Sequence, residues 1–131
     1  MIKSSFSLQR SNTILYCHHW IETVHFYKRN ICLPVAFEND WFVEFQLTDT
    51  SFLSIANSAR ATISAVQGQG VTLTWEVADL EKAKEYLELQ GIPTTQIQRK
   101  WGALVFYCTD PEGHRLEFWT TEKAKRSSLD E

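Results

Sequence analysis

The sequence lacks an apolar run long enough to span a bilayer, and its first residues form no continuous apolar segment of the secretory type. These two absences predict a cytoplasmic protein with no membrane partner. Cysteine is sparse: Cys17, Cys32 and Cys108 are far apart, and no CxxC pair occurs. A disulfide framework and a thiolate zinc site are therefore excluded, and the expectation is three reduced, mostly buried thiols. A basic surplus is also missing, since the formal net charge is -3, so a phosphate-backbone binder is not expected. Lys123, Lys125 and Arg126 are the one basic cluster, and they read as a solvated terminus. No GxSxG elbow and no phosphate-cradling glycine loop is present. Cys17 and Cys108 sit in apolar strands that disfavour a thiolate, which leaves no nucleophile.

What the chain does have is aromatic surface. Five Trp, eight Phe and four Tyr in 131 residues exceed what the core of one small domain requires, and a stacking cavity becomes plausible.

It also repeats itself. A strand over residues 13–17 leads into a helix from about Trp20 to Asn30, with Trp20, Val24, Tyr27 and Ile31 at helical spacing. Pro34 starts an extended stretch, Trp41 to Leu47 and Ser51 to Ala56 read as strands, and residues 58–70 read as a linker. The pattern then restarts. Val71, Leu73, Trp75 and Val77 alternate with Thr72, Thr74 and Glu76, and Asp79 is a good helix N-cap. Leu80, Ala83 and Leu87 form a helical stripe that Gly91 closes. Pro93 opens an extended stretch, Ala103 to Cys108 is a strand, Asp110-Pro111-Glu112-Gly113 is a turn, and His114 to Trp119 is the last strand. An offset of 60 positions lays Leu15 on Trp75, His19 on Asp79 and Tyr27 on Leu87. Leu33-Pro34 then meets Ile92-Pro93 with one residue gapped, and Phe52 to Ile55 matches Arg115 to Phe118 after a few more insertions. Each half is thus a βαβββ unit, spanning about 12–57 and 71–119, with a polar tail over 120–131.

This order of elements resembles the vicinal-oxygen-chelate superfamily, which includes glyoxalase I, extradiol dioxygenases, fosfomycin-modifying enzymes and bleomycin-resistance proteins. The residues that carry the resemblance are Phe26-Tyr27 on the first helix, Asp79 before the second and the Asp-Pro-Glu-Gly turn before the last strand. It implies one α+β domain in which two tandem units form a curled mixed sheet around a concave cavity, helices on the convex side. The stretch from Trp101 to Phe106, with that turn and Phe118, is most similar to the bleomycin-resistance branch, whose members bind a drug without a catalytic metal. Metal-dependent members place one ligand on the first and last strand of each unit. Those positions fall here on Asn12, Ser54, Thr72 and Glu117, of which Glu117 alone is of the family's ligand type. Cys32 stands where the family often has glycine.

Alternation along the strands names the residues of the cavity wall. The expected ligand-binding set is Tyr16, His18, Phe42, Glu44, Glu76, Trp101, Arg115, Glu117 and Trp119. Three carboxylates against one arginine, with aromatic walls, suit a flat or cationic small molecule. Plainer readings stand beside these. Glu117 pairs with Arg115 or a backbone donor, and Glu44 and Glu76 are solvated. His25 and His114 lie at the surface, and Trp20, Trp41 and Trp75 belong to the core. His18 and His19 point to opposite faces of a strand and make no clamp. The expectation is a homodimer, as the resemblance implies, that binds a small molecule and needs no cofactor. A divalent metal on Glu117, serving a lyase, isomerase or dioxygenase, is the alternative.

Overall fold

The computed structural model describes residues 5–122, and the basic cluster at 123–126 lies outside them. The chain divides between Gln67 and Gly68 into two compact units. No helix among the described residues is long and apolar enough to cross a membrane.

The first unit runs β1 (Ser11–Cys17), α1 (Trp20–His25), a π turn (Phe26–Asn30), β2 (Val35–Glu38), β3 (Phe42–Gln46) and β4 (Ser51–Asn57). Its strands lie in the order β1-β4-β3-β2, with β1 parallel to β4 and the other pairs antiparallel. The second unit repeats this with β5 (Thr72–Glu76), α2 (Leu80–Leu89), β6 (Gln98–Lys100), β7 (Ala103–Thr109) and β8 (Arg115–Thr121), in the order β5-β8-β7-β6. The fold is therefore α+β, built from two four-stranded mixed sheets with few helices; the first unit adds a 3-10 turn at Ser58–Arg60. Strand β6 comes from a polar stretch without alternation, and β8 continues through Thr121 into the segment expected as tail.

Period-two patterning decides which side of each sheet is buried. In β1 the buried residues are Leu15 and Cys17, in β3 Val43 and Phe45, and in β8 Leu116, Phe118 and Thr120. The first core adds Phe26 and Tyr27, whose rings meet edge to face at 4.9 Å, and Tyr27 reaches Phe45 at 6.1 Å. In the second unit Phe106 stacks on Phe118 at 5.1 Å, and Trp75 meets the same Phe118 ring edge-on at 5.5 Å. Such aromatic pairs add to the burial term itself. The opposite side of each sheet carries Asn12, Ile14, Tyr16, Phe42, Glu44 and Gln46 in one unit, and Thr72, Thr74, Glu76, Tyr107, Arg115, Glu117 and Trp119 in the other. We call these the open faces.

The helix ends explain the one-residue gap between Tyr27 and Leu33. Asp79 caps α2 by accepting the Lys82 N–H at 3.0 Å, whereas His19 at the same place in α1 makes no side-chain cap bond. α2 closes with Ile92 N–H donating to the Leu87 carbonyl, over a Gly91 at φ +81°. The counterpart in the first unit is Leu33 N–H donating to the Tyr27 carbonyl, one residue longer. The extra residue is absorbed by the π turn, where Ile31 N–H reaches back to Phe26. Cys32 is thereby the partner of Gly91 and takes φ +64°, a conformation that costs a side chain about 1–2 kcal/mol.

The Asp-Pro-Glu-Gly turn is held by one carboxylate. Asp110 Oδ1 accepts the N–H groups of Glu112, Gly113 and His114 at 2.9–3.0 Å, and Oδ2 meets His114 Nδ1 at 2.8 Å. His114 is therefore buried, not at the surface as its place beside a turn suggests. Gly68 packs on this turn so closely that a Cβ there would stand 2.5 Å from the Gly113 carbonyl.

Replacing Cys32 with glycine relieves the left-handed strain and leaves the Schellman-type closure intact. Urea unfolding of Cys32→Gly should show a gain of roughly 0.5–1 kcal/mol. A loss of that size would mean that the thiol's bond to the Arg29 carbonyl outweighs the strain.

Candidate functional site

The strand registers show how each unit builds its open face. Asn12 lies opposite Phe52 and Ile14 opposite Ser54, while Thr72 lies opposite Arg115 and Thr74 opposite Glu117. The first-strand offset of 60 and last-strand offset of 63 are thus the same register in both units. Glu44 faces Ser54 in the first unit, and Tyr107 faces Glu117 at the equivalent place in the second.

The first face is a closed polar network. Ser54 Oγ donates to Asn12 Oδ1 at 2.9 Å, Asn12 Nδ2 donates to Glu44 Oε2 at 3.5 Å, and Arg10 pairs with that carboxylate at 3.0 Å. The Arg10 guanidinium also lies 3.7 Å above the Phe52 ring. Tyr16, Phe42 and Glu44 belong to this face, with the Phe42 ring against Phe37 and Trp41. His18 lies past the end of β1 and lines a separate cavity of about 300 Å³ with residues 57–59 and 61–65. Trp20 and Trp41 are half-buried, and Trp20 donates its indole N–H to the Ile55 carbonyl at 2.9 Å.

On the second face three expected site residues converge. Trp101, Glu117 and Trp119 line a cavity of about 320 Å³ together with Lys100, Ala103, Val105 and Tyr107. Glu76 is opposite Trp119 in the ladder but does not line this cavity. Glu117 Oε1 accepts the Thr74 hydroxyl at 2.6 Å, so its partner is neither Arg115 nor a backbone donor. Arg115 instead donates Nε to Thr72 Oγ1 at 3.0 Å and crosses the Tyr107 ring at 4.7 Å. It lines an adjoining cleft of about 440 Å³, formed with Pro93, Thr94, Thr95, Tyr107, Cys108 and Thr109. Tyr107 is the wall common to both spaces. Lys100 reaches it from the other strand, donating to the phenol oxygen at 3.2 Å.

Lys100 and Tyr107 were not expected here. Tyr107 was within reach, because alternation in β7 sets it on the face of Ala103 and Val105 and the internal repeat equates it with Glu44. Lys100 was not, since nothing in Gln98-Arg99-Lys100 announces a strand. These residues also correct the charge balance. The expected surplus of carboxylates over one arginine becomes Glu44, Glu76 and Glu117 against Arg10, Lys100 and Arg115.

Trp101 has an unusual setting. It forms, with Gly102, a two-residue turn between β6 and β7 in which both φ values are positive, 53° and 76°. Asn-Gly is the favoured pair for such a turn. The indole is fully exposed (101%), so no packing compensates its strain.

The four positions that would supply a metal do not fit one. Asn12 and Ser54 bond to each other, Thr72 accepts from Arg115, and Glu117 is the single anionic donor. Neutral amide and hydroxyl oxygens hold a divalent ion weakly. No group of three or more His, Cys, Asp or Glu among the described residues is placed to bind a metal. Cys108 offers no nucleophile either: burial, aided by the Asp110 charge, pushes its thiol up to about 11. Cys17 is buried as well, while Cys32 is exposed, so two of the three free thiols are buried.

Comparison with known proteins agrees with this architecture. The model of the Glyoxalase/Bleomycin resistance protein/Dioxygenase superfamily matches residues 12–118. A comparison with curated proteins returns no match. Among solved structures, a glyoxalase/bleomycin resistance protein/dioxygenase from Nocardioides superposes with a TM-score of 0.73 at 18% identity, covering 92% of this chain and 86% of that one. TnmS3, an antibiotic binding protein from Streptomyces sp. CB03234, gives a TM-score of 0.75 at 10% identity, covering 91% and 99%. Lactoylglutathione lyase from Agrobacterium tumefaciens gives 0.69 at 17% identity, covering 84% and 91%. At these identities the likeness is one of fold.

Because Trp101 bears strain without packing, Trp101→Asn should raise the unfolding free energy by about 0.5–1 kcal/mol. Chemical denaturation checks this, and a clear loss of stability would show that the indole is structural.

Proposed function

Since the chain belongs to the glyoxalase/bleomycin resistance protein/dioxygenase superfamily, we propose that it binds a flat small molecule on the open face of its second unit, without a metal. The observation that carries this is the cavity itself. Trp101, Tyr107 and Trp119 supply aromatic walls, and Glu117 and Lys100 supply opposite charges at its rim. A site of this size, largely aromatic with few polar groups, is the usual form of a small-molecule pocket. The strained, exposed Trp101 supports the same reading, because a residue kept against stability is kept for something else. The antibiotic binding protein with this fold is consistent with binding as the whole function.

The reading includes a homodimer. It places binding, not turnover, at the centre, because no residue lining the cavity combines a nucleophile with a base.

One observation favours a second reading. Glu117 occupies a ligand position of the metal-dependent branch, and the lyase with this fold keeps that chemistry in view. The two readings differ in what a chelator does.

A thermal-shift screen of aromatic compounds, run with EDTA and then with added divalent metals, tests the choice. A ligand that binds only the folded state raises the melting temperature. The expected result is a hit unchanged by EDTA, and weakened about fivefold by Trp119→Ala, the loss of one aromatic contact of about 1 kcal/mol. Hits that appear only with metal, and vanish in Glu117→Gln, would favour the lyase-type reading.

A further inference from the structure

We propose that the ligand of the second unit's open face carries an anionic group, a carboxylate or a phosphate, drawn there by the two cations that contact Tyr107, Arg115 and Lys100. This rests on the reading that the face binds a small molecule, and it reverses the ligand charge expected from sequence.

Arg115 is fixed before any ligand arrives. Its guanidinium lies over the Tyr107 ring at 4.7 Å, and its Nε is engaged by Thr72 at 3.0 Å. Among the described residues it meets no carboxylate, so the two terminal nitrogens remain available. A guanidinium held by its Nε and one face offers its outer edge as a planar, two-point donor, the geometry that matches a carboxylate or phosphate. The cleft it lines is rimmed by the hydroxyl residues Thr94, Thr95 and Thr109, which add neutral polarity and no negative charge.

Lys100 repeats the pattern on the neighbouring cavity. Its ammonium lies 5.0 Å from the Tyr107 ring centre and donates to the phenol oxygen. It too meets no carboxylate among the described residues. The phenol, having accepted that proton donor, retains its own hydrogen for an acceptor. Nearby bases are differently placed: Arg99 pairs with Glu122 and Lys84 with Glu88. Two cations, Arg115 and Lys100, contact Tyr107, and among the described residues neither meets a carboxylate. Glu117 is directed to Thr74. The donors around this ring outnumber the acceptors, which suits an anion better than an amine.

Calorimetric titration of the full chain at low salt with 2-naphthoate, 2-naphthylmethylammonium and inorganic phosphate separates the possibilities. The carboxylate should bind at least about tenfold more tightly than the amine, and its affinity should fall as salt rises. Arg115→Gln and the exposed-site variant Lys100→Gln should each weaken the carboxylate about tenfold and should not weaken the amine. Melting temperatures near that of the parent confirm that both variants fold. If phosphate binds and Arg115→Gln abolishes it, while naphthoate does not bind, the anion site stands as a phosphate site and the aromatic wall is excluded. If the amine binds as well as the carboxylate, or the variants leave the carboxylate unaffected, the anion proposal falls and the cavity survives. If no probe binds, the small-molecule reading falls and takes the proposal with it.

Discussion

The parallel ladder between the first and last strands of each unit is the constraint on which the site depends. Parallel strands cannot be joined by a hairpin, so the chain must travel through a helix and two further strands before returning to pair with its own beginning. That return sets Ser54 beside Asn12 and Glu117 beside Thr74, at sequence separations of 42 and 43. It also fixes a shared parity. A slip of one residue in the second unit's ladder would turn Arg115, Glu117 and Trp119 toward the core and expose Leu116 and Phe118. The apolar side of the sheet, with its Phe106–Phe118–Trp75 cluster, therefore holds the polar side in register.

Given that ladder, the two units have diverged in what they display. In the first, Arg10, Glu44, Asn12 and Ser54 satisfy one another, and nothing polar is left over at the position where Tyr107 stands in the second. In the second, the acid at that position is replaced by a phenol, and the last-strand aromatic Phe52 is replaced by Arg115. The exchange moves a cation onto a ring that belongs to the cavity wall. It leaves Arg115 without the carboxylate that Arg10 has. The duplicated fold thus carries, among the described residues, one internally neutralised face and one with unmatched donors, and the second has the profile of a binding surface.

Much of this was legible in the sequence because it rests on local rules. Alternation gave the buried sides of β1, β3, β5 and β8; Asp79 and Gly91 marked the ends of α2; the Asp-Pro-Glu-Gly turn marked the last connection; the internal repeat supplied the register. What escaped was set by longer-range or smaller effects. The π turn is a one-residue insertion inside a helix, visible in sequence only as a gap between Tyr27 and Leu33. Strand β6 is held by pairing with β7 and has no apolar period of its own, so Lys100 had no assigned face. The burial of His114 follows from Asp110 four residues earlier, a contact that the turn creates. The plainer reading of Glu117 paired it with Arg115 or a backbone donor, yet Glu117 and Arg115 each bond across to a threonine of β5 in the parallel ladder.

The central claim is that ligand binding is confined to the second unit and independent of metal. The five tryptophan indole N–H signals report on it directly in a nitrogen-correlated NMR spectrum. During titration with an aromatic carboxylate in the presence of EDTA, the signals of Trp101 and Trp119 should move together with saturation, while those of Trp20, Trp41 and Trp75 stay in place. Movement confined to Trp20 or Trp41, or movement that begins only when a divalent metal is added, would contradict the account.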